Sequence, residues 1–188
     1  MARDARPEPG RPSAFFEARL GEIEGKKALG PVLDLACGRG RHARVLAERG
    51  LHVVAVDRNR EALAELAEAV RDLPGSVETV EADLESETPP PLPEGAFGAV
   101  LVFRYLSRER TPWIARLLAP DGLLLYETFT RAQRELGWGP TRDDFLLEPG
   151  ELRSLFPGLE AIDSEEGLTH EPRPAYTARL MARRRATG

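Results

Sequence analysis

The segment Val32-Leu33-Asp34-Leu35-Ala36-Cys37-Gly38-Arg39-Gly40 constrains this chain more than any other. An apolar run interrupted by one acid ends in two closely spaced glycines, and a helix-like stretch, His42 to Arg49, follows. That is the pattern of a buried strand stopping in a glycine turn, where open α/β sheets place their ligands. Gly38 and Gly40 tolerate φ > 0 and leave bare backbone for a ligand to approach. Asp34, near the carboxyl end of the strand, is expected to face the same crevice. Bare backbone beside a negative charge suits a ligand with an amine or another positive centre and suits a pyrophosphate poorly.

The remainder reads as a βα alternation. Residues 1–12 hold Pro7, Pro9 and Pro12 among charges and are expected to form a flexible tail, with one domain over 13–188. Ser13 is placed to cap a helix to about Glu24, with Phe16, Leu20 and Ile23 on one face. Phe15 and Phe16 either pack against the sheet edge or help cover a ligand. A second strand is expected over 51–57, then a helix from Arg60 to Leu73 with Leu63, Leu66, Ala67 and Val70 inward. A third strand spans about 77–82, a stiff proline-rich connector covers 89–93, and a fourth strand follows at 97–103. Thr111-Pro112 starts a helix with Thr111 as N-cap, and a fifth strand covers about 122–128. A polar segment, a short helix near 150–156 and strands near 158–165 and 174–184 close the chain.

Composition narrows the function classes. Hydrophobic content of 41% and charged content of 30% are globular values. No apolar run approaches the roughly 20 residues of a membrane span, and the N-terminal region lacks the apolar segment of a secretory signal. The one cysteine, Cys37, cannot form an internal disulfide, which fits a reducing, cytoplasmic setting. A net charge of −5 argues against a large nucleic-acid footprint. Arg183-Arg184-Arg185 is read as a solvated strand end. His42, His52 and His170 have no metal-ligand spacing with Cys37, so no metal is expected. A monomer or small homo-oligomer is compatible with all of this.

The run 34–40 resembles the first motif of class I S-adenosylmethionine-dependent methyltransferases. The resemblance continues in order. Val53-Val54-Ala55-Val56-Asp57 resembles the second strand, and Val80-Glu81-Ala82-Asp83-Leu84 the third. Phe97 to Phe103 resembles the fourth, and Leu118 to Leu125 the turn into the fifth. It implies S-adenosyl-L-methionine as cofactor and a single Rossmann-like domain. Its seven-stranded, mostly parallel sheet would have the order 3-2-1-4-5-7-6, strand 7 antiparallel and helices on both faces. A cofactor half would span about 28–90 and a substrate half about 95–188. In the family, the strand-end acid and glycine turn hold the methionine part of the cofactor, which assigns Asp34, Gly38 and Gly40. Asp57 would bind the ribose hydroxyls and Asp83 the adenine amino group, with Ala36, Cys37, Arg58, Leu84 and Phe103 completing the cofactor set. The small size, Arg41-His42-Ala43 and Tyr126-Glu127-Thr128-Phe129 further resemble small bacterial tellurite-resistance-type methyltransferases.

Two rivals share these features. Gly38-Arg39-Gly40-Arg41-His42-Ala43 satisfies G-x-G-x-x-G/A, with Asp57 about 20 residues on, as in NAD(P)-binding oxidoreductases. Asp34, which would repel a pyrophosphate, disfavours that reading. A non-catalytic sensor or partner protein that keeps the cofactor pocket is the other. On the substrate side, Tyr105 is expected near the transferred methyl group, Arg104 to orient an anionic acceptor, and Glu127 to act as base or amine binder. Each has an alternative as a packing or surface residue. Phe103-Arg104-Tyr105-Leu106 stands where amino-methylating nucleic-acid enzymes carry Asn-Pro-Pro-Tyr, so the acceptor is expected to be a small molecule. Trp138, within 130–145, is either a lid closing over ligand or an anchor.

Overall fold

The computed structural model describes residues 10–170 and 173–186. Seven strands form one sheet: β1 (Val32–Leu35), β2 (His52–Asp57), β3 (Ser76–Glu81), β4 (Phe97–Phe103), β5 (Leu118–Phe129), β6 (Glu160–Thr169) and β7 (Ala175–Arg183). Their order is β3-β2-β1-β4-β5-β7-β6. The pairs from β3 through β5 are parallel, whereas β7 runs antiparallel to both β5 and β6. The Rossmann-like order expected from the resemblance is therefore the order observed.

Central strands buried on both faces need unbroken apolar sequence, and all seven residues of β4 are buried. Alternate side chains feed two cores. Leu33, Leu35, Val100, Val102, Leu124 and Tyr126 face one. Val32, Ala99, Leu101, Phe103, Leu123 and Leu125 face the other. By the same alternation Asp34 and Glu127 lie on the second face, with Phe103. Each fully buried Leu or Val contributes roughly 1.5–3 kcal/mol relative to exposure, so these strands hold their polar members firmly in place.

The helices are α1 (Ala14–Glu17), α2 (Leu20–Glu24), α3 (Arg41–Glu48), α4 (Arg60–Ala69), α5 (Thr111–Leu117) and α6 (Glu151–Ser154). The single helix expected over 13–24 is broken at Arg19, which leaves helical geometry and ion-pairs with Asp163 of β6. In α4, Ala62 rather than Ala67 faces inward beside Leu63 and Leu66, and the helix ends before the expected Leu73. Arg110 rather than Thr111 occupies the N-cap position of α5, and Thr111 Oγ1 instead donates to Arg108 O at 2.8 Å. β5 begins four residues earlier than expected because Leu118 already pairs with Phe97, before a register shift that precedes the Ala99–Leu123 pair. Asp121, in that irregular stretch, has φ 65°. Of the expected flexible tail, residues 1–9 lie outside the described residues.

Candidate active site

At the end of β1 the chain turns through three left-handed residues, Ala36 (φ 54°), Gly38 (56°) and Gly40 (70°). A non-glycine residue in that region costs of order 1–3 kcal/mol and marks a position held by its surroundings. Ala36 is held because Cys37 N–H donates to Val56 O at 3.0 Å and Gly40 N–H closes the turn on Cys37 O at 3.0 Å. The two glycines serve different ends. A Cβ on Gly40 would fall 2.4 Å from Leu66 Cδ1 of α4, so its absence lets α3 and α4 pack. A Cβ on Gly38 would meet nothing within 4 Å, so its absence keeps open space open.

Asp57, at the tip of β2, is fixed by backbone donors on both oxygens. Gly38 N–H donates to Oδ2 at 2.7 Å and Asn59 N–H to Oδ1 at 2.8 Å. Each carboxylate oxygen keeps further lone-pair capacity. Asp57 lines a cavity of about 190 Å³ with Ala36, Arg58, Ala82, Asp83, Leu84, Glu85 and Tyr105. Asp83 is held in turn by Glu85 N–H on Oδ1 at 2.9 Å. The cavity thus carries carboxylates at the ends of β2 and β3 and apolar surface between them.

Around the carboxyl ends of β1, β4 and β5 a second cluster gathers Asp34, Arg41, Arg104 and Glu127. Asp34 is 1% exposed and its Oδ2 has no hydrogen-bond partner. Burial pushes its carboxyl up to about 7, against the opposing pull of the Arg41 guanidinium. Arg41, at the first turn of α3, is itself lowered to about 10 by burial and by nearby Arg104. Glu127 is buried, and its Oε2 accepts from Ser13 Oγ at 2.6 Å. Ser13 Oγ also accepts from Phe15 N–H at 3.1 Å, so one hydroxyl caps α1 and ties it to β5. His42 Nε2 accepts from Ser13 N–H at 3.3 Å. Its ring lies 4.6 Å from Phe16 and 4.1 Å from Phe103. Burial and Arg41 hold His42 well below its ordinary pKa, so it is a neutral packing and anchoring group at pH 7.

Phe16 and His42 therefore draw α1 over the face that carries Asp34, Phe103 and Glu127. Arg104 N–H donates to Glu127 O at 2.8 Å, and its guanidinium lies 5.9 Å from the Phe129 ring centre. Tyr105 is not beside Glu127. It lines the Asp57 cavity, where its hydroxyl donates to Leu84 O at 3.3 Å. Strand alternation would put Phe103 and Tyr105 on one face, but the left-handed Arg104 between them (φ 59°) turns Tyr105 to the other. Burial drives the Cys37 thiol pKa upward, with Asp34 and Asp57 adding to it, which leaves the thiol protonated and unreactive. Trp138 packs edge-on against Phe129 at 5.7 Å with Arg173 over its ring at 4.1 Å, the geometry of an anchor. Arg183 and Arg185 reach Glu160, and Arg184 caps carbonyls of Arg116 and Leu118, so the basic run is internally paired.

Sequence reasoning missed Arg41, Ser13 and Glu85 as neighbours of the site. Only Arg41 carried a signal, an arginine directly after the glycine turn. Among the described residues no group of three His, Cys, Asp or Glu side chains is placed to hold a metal ion, and no helix is long and apolar enough to cross a membrane.

Residues 32–122 match a family model described as a methyltransferase domain. Residues 32–122 thus resemble a methyltransferase domain, on a sheet with the class I methyltransferase fold. The cofactor that this likeness implies is S-adenosylmethionine. Among solved structures, the chain is similar to a SAM-dependent methyltransferase from Methanosarcina mazei. The two share 17% identity and a TM-score of 0.66, over 88% of this chain and 98% of that one. TehB from Haemophilus influenzae shares 21% identity at a TM-score of 0.63, over 88% of this chain and 62% of that one. SpnF, described as a 4+2 cyclase, shares 21% identity at a TM-score of 0.66, over 96% and 85% respectively. These likenesses concern the fold, and a cyclase among them means that the fold alone does not set the reaction. No curated protein matches the chain. The residues present suit the cofactor. An orphaned buried carboxylate oxygen stands ready for a cation, Gly38 leaves room beside the backbone, and Asp57 and Asp83 offer acceptors to hydroxyl and amino groups.

Proposed function

We propose that the protein methylates a small-molecule acceptor, with the cofactor lying across the carboxyl ends of β1, β2 and β3. The unpartnered oxygen of buried Asp34 carries this reading, since it favours a positively charged ligand and disfavours a pyrophosphate. Asp34, Ala36, Cys37, Gly38 and Gly40 would frame the methionine part, with Arg41 supplying a cation for its carboxylate. Asp57 and Arg58 would take the ribose end, and Asp83 and Leu84 the adenine. Tyr105 belongs to this nucleoside end as a wall held by Leu84. Phe103 would form the floor between cofactor and acceptor.

When bound, S-adenosylmethionine supplies a methyl group already activated by its sulfonium sulfur. The tasks left to the chain are alignment, exclusion of water and handling of a proton. Phe16, Phe103 and His42 keep the inner face dry beneath α1. Glu127 and Arg104 stand at the acceptor side, one to accept a proton or hold an amine, the other to attract an anion. That pair of charged groups favours an enzyme over a sensor that only holds the cofactor.

The reading is tested at Asp57. Hydrogen bonds to a charged group contribute roughly 1.5–3 kcal/mol each. Calorimetry is expected to show at least tenfold weaker binding of S-adenosylhomocysteine to Asp57→Ala, with circular dichroism unchanged. Unaltered affinity in a folded variant would remove the ribose assignment.

A further inference from the structure

Glu127 also lines a second cavity, of about 270 Å³. It is lined by Ser13 to Phe15 of the N-terminal segment, by Glu127 and Arg179, and by Thr169 and His170. Glu127 and Arg179 are direct cross-strand partners in the β5–β7 ladder. Such partners share a face with their Cβ atoms about 5 Å apart. Glu127 is 7% exposed, and the Arg179 side chain 20%.

Both groups retain unused bonding capacity. Ser13 occupies Oε2 of Glu127, which leaves Oε1 as an acceptor. Arg179 reaches Glu165 through Nη1 at 3.1 Å, while its buried Nε has no partner. A small cavity with a carboxylate and a guanidinium side by side selects a ligand that bears a nitrogen donor and an anionic acceptor at short separation. Its volume lies below the roughly 300–1,000 Å³ of drug-sized pockets, so that ligand is compact.

We propose that this cavity is the methyl-acceptor pocket and that the acceptor is a compact amino-carboxylate, its nitrogen at Glu127 and its carboxylate at Arg179. The inference rests on the methyltransferase reading and adds the acceptor class to it. Glu127 is shared by this cavity and by the cluster with Asp34 and Arg41, so a nitrogen bound to it stands at the boundary between acceptor and cofactor. Before attack, the ammonium gives one proton to Glu127 Oε1. The lone pair so freed forms the N–C bond, the C–S electron pair stays on sulfur as a neutral thioether, and the product leaves as a methylammonium. Glu127 then returns its proton to solvent.

The test uses the whole protein saturated with S-adenosylhomocysteine and titrated with β-alanine, 4-aminobutyrate, anthranilate and 4-aminobenzoate. Propylamine, propionate, aniline and benzoate serve as single-ended controls, and turnover of S-adenosylmethionine is followed in parallel. At least one amino-carboxylate is expected to bind and be methylated, with its single-ended controls at least tenfold weaker. Arg179→Gln should raise KM for it at least tenfold with kcat nearly unchanged, and Glu127→Gln should lower kcat at least tenfold. Should Arg179→Gln fail to fold, Ala14→Phe provides the second arm, because it fills the cavity from an exposed position and leaves the Glu165 ion pair intact. Binding of none of the amino-carboxylates, or binding indifferent to Ala14→Phe, overturns the proposal. Failure to bind S-adenosylhomocysteine at all would overturn the methyltransferase reading instead.

Discussion

Asp34 is the residue at which stability and ligand binding pull apart. Its carboxyl titrates at an ordinary 3.8 when exposed and at about 7 in the fold, chiefly because burial disfavours the charge. Between those values the folded state binds more protons than the unfolded one, so the contribution of Asp34 to stability falls as pH rises from about 4 to about 7. Relative to wild type, Asp34→Asn is expected to gain stability across that window, by at most about 1.4 kcal/mol per pH unit. The same variant should bind S-adenosylhomocysteine at least tenfold more weakly at pH 8. Urea unfolding at pH 4 to 8 with calorimetry at pH 8 checks both. A stability difference that does not change with pH would mean that Asp34 is charged throughout. The acid itself was plain in the sequence. Its orphaned oxygen and its neighbour Arg41 were not, because both depend on how α3 folds back over β1.

At the scale of elements, the β1–α3 turn separates packing from function. Gly40→Ala would force a methyl against Leu66 in a left-handed conformation, and about 1–3 kcal/mol of lost stability is expected. Gly38→Ala carries the same backbone strain without the clash. Its larger effect should be on S-adenosylhomocysteine affinity, lowered tenfold or more while the melting temperature changes less than for Gly40→Ala. Equal losses of stability with no difference in affinity would show that no ligand occupies the space before Gly38. The pattern of 32–40 disclosed this turn because an apolar run marks the strand and a glycine pair opens φ > 0 just after it. Elements whose ends depend on distant partners were harder to read. Arg19 breaks the first helix to reach β6, and Leu118 joins β5 early to pair with Phe97. Tyr105 lines the Asp57 cavity rather than the Glu127 side where it was expected, and the left-handed Arg104 before it has no sequence signature.

For the whole molecule, the sheet order divides the labour. The ends of β1, β2 and β3 carry the cavity with Asp57 and Asp83, and β4, β5 and β7 carry Phe103, Glu127 and Arg179. The parallel βα alternation was legible because each unit leaves its own apolar run, whereas the strand order itself came from the family resemblance. The covering of the inner face by α1 was not, since it hangs on one serine that meets Glu127 across 114 residues of chain. The same division explains why the dinucleotide pattern at 38–43 coexists with a site that repels pyrophosphate: the glycine turn is common to both, and Asp34 is not. Ligands that bind only the native state register directly as affinity and as added stability. Titration of S-adenosylhomocysteine and of NAD into the wild-type protein, followed by calorimetry, therefore tests the central claim most directly. Saturable one-site binding of S-adenosylhomocysteine without heat from NAD is the predicted result, and binding of NAD without S-adenosylhomocysteine would contradict it.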